Sequence, residues 1–273
     1  MSKFVSFFKS YSQNVDRFDE AAYWQLSDEI IKRIIKKNLP SKTDFTLFDA
    51  GGGSGRWTVI VNKMKKCHGT LFDLSKDMLA KAKINFNQAG IEKKFKIVLG
   101  NLEKITSEKD NSYDLIICIY NVLSFIKKPE KTIDELYRIL KPKGRLIVMA
   151  HGFYNAIEEK VVAKATKKDF QLITQKSKIN WNPRLPTLKL YSREGIEALL
   201  KNFDFKVIKT YGVTVFAKPE LDDFQYPYEG TSRISQSLKD PEFFKEIINL
   251  EIKYNFLPEI ANHGVNLLSV AEK

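Results

Sequence analysis

Apolar residues recur along this chain in two rhythms that take turns. Ile30, Ile31, Ile34 and Ile35 repeat at helical spacing, and Pro40-Ser41 stops the run. Short apolar runs then alternate with longer amphipathic ones. Phe45–Asp49 predicts a first strand, Ser54–Lys66 a helix and Thr70–Asp73 a second strand. Ser75 is placed to cap the next helix, which turns Met78, Leu79 and Ala82 inward and stops near Gly90. Phe95–Leu99 predicts strand three. Tyr113–Ile119 predicts strand four, apolar almost throughout, as a strand covered on both faces must be. Pro129 opens a helix with Ile133, Leu136, Tyr137 and Leu140 on one face, and Lys141-Pro142-Lys143-Gly144 turns the chain into strand five, Arg145–Ala150.

The rhythm then breaks. Residues 152–190 show no clear period. Ser192–Lys201 predicts a helix, Phe205–Phe216 a strand region containing Gly212, 218–240 a turn-rich stretch, Glu242–Tyr254 a helix and Val265–Ala271 a last strand. Alternation of strand and helix predicts a doubly wound α/β fold, a parallel sheet with helices on both faces. The expected layout is one domain over 1–273. It has a helical cover at 1–40, a core at 41–151, an insertion at 152–192 and a C-terminal part at 193–273 with a second insertion at 218–258. The irregular stretches, with 1–25, are placed to cover the carboxyl edge of the sheet.

Composition narrows the class. With 273 residues, 43% hydrophobic and 29% charged, the chain can bury a large core without staples. Cys67 and Cys118 make no disulfide framework, and Cys118 in Leu115-Ile116-Ile117-Cys118-Ile119 reads as a buried thiol. His68, His151 and His263 have no metal-ligand spacing, so no metal is expected. No run approaches the ~18 apolar residues of a membrane span, and Met1–Lys9 is too short and interrupted for a signal peptide. The expected setting is the cytoplasm, without a membrane partner.

The net charge of +12 is unevenly placed: 160–193 holds nine basic residues against Asp169 alone, while 219–260 holds nine acids against four bases. Such an excess suits an anionic partner. With 37 Lys to 8 Arg, a lysine-rich solvated surface accounts for it equally well.

The chemistry concentrates in one loop. Strand one ends in Asp49 and runs into Ala50-Gly51-Gly52-Gly53-Ser54-Gly55 before a helix begins. Ligands in open α/β sheets bind at the carboxyl ends of strands, and glycines there let the backbone pass close beneath them. The dinucleotide pattern G-x-G-x-x-G fails: from Gly51 the sixth position is Arg56, and from Gly52 the third is Ser54. What fits is Asp49, Gly51, Gly53, Gly55. An acid before the loop repels a pyrophosphate and suits a cationic ligand with a free amino group. S-adenosylmethionine carries an ammonium and a sulfonium and no phosphate. Strand two ends in Asp73, 24 residues on, where a carboxylate can accept ribose hydroxyls.

These stretches resemble the class I S-adenosylmethionine-dependent methyltransferases. The matching segments are Phe48–Gly55, Phe72–Leu79, Gly100-Asn101-Leu102-Glu103, Tyr113–Ile116 and Ile139–Gly144, spanning 45–150 in the family's order. The resemblance implies a Rossmann-like, mostly parallel seven-stranded sheet with an antiparallel last strand. It implies that Asp49, Ala50, Gly51, Gly52, Gly53 and Gly55 hold the methionine moiety and that Asp73 and Leu74 flank the ribose. Asn101 and Leu102 would frame the adenine, Met78 would border the site, and Tyr120 would line the methyl-donor pocket. The family often has Asp at the position of Asn101, so a weaker adenine contact is expected. Phe153-Tyr154-Asn155-Ala156 and Gly212–Phe216 are similar to the bacterial tRNA methyltransferases that esterify 5-carboxymethoxyuridine at the wobble position. Related small-molecule enzymes share that layout.

No catalytic base stands out. A carboxylate acceptor, ionised at neutral pH, needs none. Tyr120, Asn121, His151, Tyr154 and Asn155 are the substrate-site candidates. A small molecule, such as an anionic carboxylate, is the favoured acceptor. The alternative is tRNA, with Phe170, Trp181 and Tyr191 among the lysines of the insertion available to stack on bases.

Overall fold

The computed structural model describes residues 14–180, 186–224 and 229–273, with Phe7, Lys9 and Ser12 before them. Trp181 and Arg184 of the basic stretch lie outside the described residues, as does most of 1–13. After a 3-10 turn at Val15–Glu20 comes α1 (Ala22–Lys37), whose Leu26, Ile30, Ile31, Ile34 and Ile35 are buried as one stripe. It ends on Asn38, short of Leu39, because a residue preceding proline is pushed away from helical backbone.

The alternating part follows: β1 (Phe45–Ala50), α2 (Arg56–Met64), β2 (Cys67–Asp73), α3 (Lys76–Gln88), β3 (Phe95–Leu99), β4 (Tyr113–Cys118), α4 (Val122–Phe125), α5 (Pro129–Ile139) and β5 (Leu140–His151). Ser75 caps α3, its Oγ accepting from Met78 N at 3.3 Å.

The sequence pattern places Lys141–Gly144 in a turn before strand five. In the structure the strand already begins at Leu140, opposite Tyr113, and pairing resumes with Arg145 opposite Leu115. Lys141–Gly144 bulge out of the register, with Lys143 at φ 63°. Pro142 can donate no ladder hydrogen bond, so the bulge is where it fits. Leu140, expected on the helix face, is instead buried as the strand's first residue.

The 152–190 stretch is the larger correction. It folds into α6 (Phe153–Val162), α7 (Lys167–Lys176) and a two-stranded ribbon of β6 (Lys178–Ile179) and β7 (Leu188–Lys189). Thr166 and Asp169 make a reciprocal capping box at the start of α7. A small core of Ala156, Ile173, Ile179, Leu188 and Leu190, with Phe125, Phe153 and Ile157 against it, holds the unit together.

The rest comprises α8 (Arg193–Lys201), β8 (Lys206–Val213), α9 (Arg233–Ser237), α10 (Pro241–Tyr254), α11 (Pro258–Ala261) and β9 (Asn266–Glu272). The strand region expected over Phe205–Phe216 ends at Val213. There Val215, Phe216 and Ala217 leave the sheet and give their N–H groups to the buried Glu251 carboxylate.

Seven strands form one sheet in the order β3-β2-β1-β4-β5-β9-β8. Pairing is parallel from β3 through β5, and β9 runs antiparallel to both β5 and β8. One face packs α1, α2 and α3 through residues such as Tyr23, Leu26, Val61, Leu79 and Phe86. The other packs α5 and α8 through Ile133, Leu136, Ile196 and Leu200. Helices on both faces leave the edges of the sheet open. The strand order reverses direction between β1 and β4, which opens a crevice at their carboxyl ends.

Candidate active site

The loop after β1 is shaped by its glycines. Gly51, Gly53 and Gly55 all have positive φ, at 72°, 55° and 75°. A Cβ on Gly51 would lie 2.6 Å from Val122 Cγ1, and one on Gly53 2.7 Å from Met78 Cε. No side chain fits between this loop and its neighbours. Gly51 N donates to Phe72 O at 2.7 Å, which ties the loop to β2.

Two carboxylates, the buried Asp49 and the half-buried Asp73, hold the loop from below. Asp49 is 2% exposed, and its Oδ2 accepts from the Thr58 hydroxyl at 2.7 Å. It lies directly under the loop, since a Cβ on Gly52 would meet its Cγ at 2.6 Å. Asp73 accepts from Gly53 N at 3.0 Å and from Ser75 N at 2.7 Å. Burial pushes Asp49 up to about 7, with the Thr58 hydrogen bond opposing and the Asp73 charge adding to the rise. Burial also raises Asp73, against the hydrogen bonds it accepts from backbone N–H groups. Among the described residues neither acid has a cationic partner. Two adjacent desolvated carboxylates without a counter-ion are costly and favour a positively charged ligand.

Around the acids, Leu74 is 50% exposed and Leu102 is buried at 7%, while Met78 is buried beneath Gly53. Asn101 spends one lone pair of its Oδ1 locally, accepting from Glu103 N at 2.9 Å. Ala50 is buried as the last residue of β1.

Tyr120 follows β4 with φ 57°. Its hydroxyl donates to the Asp28 carboxylate of α1, and its ring lies 6.2 Å from Trp24 and 6.0 Å from Trp57. Asp28 is also bonded to Arg56, the first residue of α2. These contacts bolt α1 onto the glycine loop. Asp16 adds a second tie, accepting from Ser54 Oγ at 2.6 Å and Asn85 Nδ2 at 2.9 Å. Thr58, Asp16, Asp28 and Arg56 do not stand out in the sequence, because their roles depend on partners elsewhere along the chain.

The remaining candidates line the neighbouring part of the same edge. Asn121, with φ 65°, precedes α4, and its buried Oδ1 has no hydrogen-bond partner among the described residues. His151 is 5% exposed, and burial lowers its imidazole to about 4. Asn155 Oδ1 accepts from Lys218 Nζ at 3.0 Å. Tyr154 is 40% exposed and packs against Phe153 and His263. The structure thus brings Asn121, His151 and Asn155 to one side of the crevice and the glycine loop to the other. Tyr191 is different. It is 9% exposed and packs in the core beside α8, so it is not available to stack on a base.

The geometry sits within a known family. Residues 41–191 match the family described as methyltransferase domain. The chain belongs to that family. It is 27% identical over 146 residues to the tRNA 5-carboxymethoxyuridine methyltransferase of Escherichia coli K12, covering 54% of this chain and 52% of that protein. It is 28% identical over 114 residues to a ubiquinone/menaquinone biosynthesis C-methyltransferase of Rhizobium meliloti, covering 41% and 43%. The match thus spans about half or less of these relatives. Among solved structures, a putative methyltransferase in complex with the Trm112 methyltransferase activator of Haloferax volcanii superposes with a TM-score of 0.60 at 14% identity, covering 97% and 96% of the two chains. That likeness shows the Rossmann-like class I fold. A geranyl diphosphate methyltransferase in complex with S-adenosylmethionine superposes with a TM-score of 0.56 at 14% identity, covering 90% of this chain and 84% of that one. No helix among the described residues is long and apolar enough to cross a membrane.

Proposed function

We propose that this protein transfers the methyl group of S-adenosylmethionine to a small-molecule acceptor at the carboxyl edge of β1, β4 and β5. The observation that carries the reading is the pair of the buried Asp49 and the half-buried Asp73, beside a loop that admits no side chains and lacking a cationic partner among the described residues. The bound cofactor supplies an electrophilic methyl on a cationic sulfonium. The chain supplies alignment. Gly51–Gly55 bring backbone close to the methionine moiety, Asp49 offsets its ammonium from beneath, and Asp73 keeps lone pairs for the ribose hydroxyls. Leu74 and Leu102 offer apolar walls to the adenine, and Asn101 keeps one lone pair of its amide oxygen for it. Tyr120, pinned by Asp28 and boxed by Trp24 and Trp57, holds the wall next to the methyl. Such alignment of two reactants contributes up to about 7–11 kcal/mol of a barrier.

A small acceptor is favoured by the cover. Tyr23 N donates to Ser235 Oγ at 3.2 Å, Trp24 Nε1 to Asp223 O at 2.5 Å, and the Tyr23 and Thr214 hydroxyls lie 3.1 Å apart. These bonds tie α1 to Thr214, Asp223 and Ser235 and so place a cover beside the crevice. A carboxylate needs no base and stays compatible with this site. The second reading is methyl esterification of carboxymethoxyuridine in tRNA. It is supported by the named E. coli relative and by Lys164, Lys167, Lys168 and Lys176, exposed together on the 153–190 unit. The burial of Tyr191 removes one of its three stacking residues.

Calorimetry with S-adenosylhomocysteine and with NAD tests the cofactor: heat with the first and none with the second is expected, and the reverse would sink the reading. Tritiated cofactor offered to total RNA and to a small-molecule extract separates the acceptors. Label in tRNA that falls steeply with salt would favour the second reading, because phosphate contacts release counter-ions.

A further inference from the structure

His151 closes β5 in a setting where everything is satisfied except its ring. Its backbone N–H donates to Ser124 Oγ at 2.9 Å, and its carbonyl accepts from Tyr191 N at 3.0 Å. Both ring nitrogens are buried without a well-formed hydrogen bond. Asn266, the first residue of β9, stands directly across the antiparallel register from it and is 2% exposed. Among the described residues, the Asn266 Oδ1 is likewise buried without a well-formed hydrogen bond, as is Asn121 Oδ1 just beyond the adjacent strand. Folded proteins rarely leave such atoms unmatched, and those left unmatched call for a ligand or a chemical role. Here they gather at the carboxyl edge, beside the candidate methyl-donor site.

The chemistry of the pair is directional. An amide oxygen only accepts, so Asn266 suits the N–H of a neutral imidazole. That leaves the second ring nitrogen as a free acceptor. Burial holds the ring neutral at neutral pH against the smaller pull of the Asn266 side chain, and Lys160 of α6 and Lys218 beyond β8 also act against its protonation. Glu158 sits 3.3 Å from Lys218 and offsets part of that charge.

We propose that His151, oriented by Asn266, accepts the proton of a substrate hydroxyl during methyl transfer, so that the acceptor is an alcohol or phenol methylated on oxygen. This rests on the small-molecule methyltransferase reading above. In the step, a lone pair of the hydroxyl oxygen forms the new O–C bond as the C–S bond breaks, and the sulfur keeps that electron pair as a neutral thioether. The hydroxyl proton passes to the free nitrogen of His151 and then to water. A weakly basic imidazole suffices, because the proton becomes strongly acidic as oxygen bonds the methyl carbon. His151 is then a catalytic residue and Asn266 a positioning residue.

Two measurements test the proposal. With only three histidines in the chain, imidazole 15N resonances are assignable, and His68 and His263 are both exposed references. With S-adenosylhomocysteine bound, His151 should stay neutral in a single tautomer from about pH 5.5 to 8, and Asn266→Ala should mix the tautomers. Protonation of His151 within that range, or a tautomer indifferent to Asn266→Ala, would overturn the dyad.

The second measurement offers S-[methyl-3H]adenosylmethionine and a low-molecular-weight extract of the source organism. Label should enter a product stable to mild alkali, as an ether is. His151→Gln and Asn266→Ala should each lower transfer, the first by about 10²-fold or more, with the S-adenosylhomocysteine Kd unchanged. Label released as methanol by alkali marks an ester and overturns the proposal alone, as would His151→Gln working at the wild-type rate. Label only in tRNA, or none from a chain that binds the cofactor, would overturn the proposal together with the reading beneath it.

Discussion

The two halves of the sheet's carboxyl edge treat buried polar groups in opposite ways. At the ends of β1 and β2, the buried Asp49 and the half-buried Asp73 are bonded to Thr58, Gly53 and Ser75. At the ends of β4 and β5 and the start of β9, Asn121, His151 and Asn266 carry buried polar atoms without a well-formed hydrogen bond among the described residues. The first half is a cradle whose shape the chain maintains by itself and whose charge is left for a ligand to offset. In the second half the backbone is bonded, but several buried side-chain atoms lack a well-formed hydrogen bond among the described residues. On the proposed reading, the cofactor occupies the first half and the acceptor the second.

The sharpest way to break the comparison is to spoil the cradle. Gly51→Val forces a branched residue into left-handed backbone and drives its Cβ into Val122. S-adenosylhomocysteine heat should vanish at concentrations that saturate the wild type, while far-UV circular dichroism stays unchanged. Retained binding would show that the loop does not approach the ligand.

Asp28→Ala attacks the joint between the halves. Asp28 is 1% exposed and anchors both Arg56 and Tyr120. Removing one member of a buried pair strands the other, so stability should fall by about 3 kcal/mol in urea unfolding. A loss under about 1 kcal/mol would mean that α1 is held by its apolar stripe alone.

Asp73→Ala should weaken cofactor binding by about 1–3 kcal/mol, the cost of unpaired hydroxyls. An unchanged Kd would move the ribose elsewhere.

A finer contrast lies in pH. Asp49 sits at about 7 in the folded chain, above its ordinary range, so its contribution to stability falls as pH rises from about 4 towards 7. His151 sits at about 4, below its ordinary range, so its contribution is complete above about 6.5 and is lost as pH falls towards 4. The two slopes oppose each other, each limited to about 1.4 kcal/mol per pH unit. Between about pH 4.5 and 6.5, Asp49→Asn should gain stability relative to the wild type with rising pH, and His151→Gln should lose it. Urea midpoints at both ends of that window would show it, and identical slopes in the two variants would refute the assignment.

The smallest effect is expected on the surface of the 153–190 unit. Reversing Lys164 and Lys168 to Glu should change stability by less than about 0.5 kcal/mol and leave transfer to the small-molecule extract within twofold. A steep loss of transfer to RNA instead would favour the tRNA reading.

The legible parts of this protein were the ones whose signal is local. An unbroken apolar run such as Leu115–Ile119 announces a buried strand wherever it is read, and Gly51, Gly53 and Gly55 declare a backbone that must turn and pass close to something. The helices α6 and α7 escaped because they bury little. Only Asn155, Ala156 and Ile173 are covered on them, too few to write a period into the sequence. The candidate site was half legible for the same reason. Asp49 and Asp73 stand at strand ends with their loop beside them, whereas Asn266 is one polar residue opening an apolar strand.

By itself, then, the sequence determined the succession of strands and helices, the glycine loop and the acids that flank it. Those follow from periodicity and from what a backbone can do within a few residues. Tertiary structure alone decided which polar groups are cut off from water and which meet a partner. His151 faces Asn266 across 115 residues of chain, Asp28 reaches Tyr120 across 92, and Glu251 collects backbone N–H groups from 34 to 36 residues away. Burial and pairing are set by elements distant in sequence, and the desolvation that gives Asp49 and His151 their altered acidity exists only once those elements have closed around them.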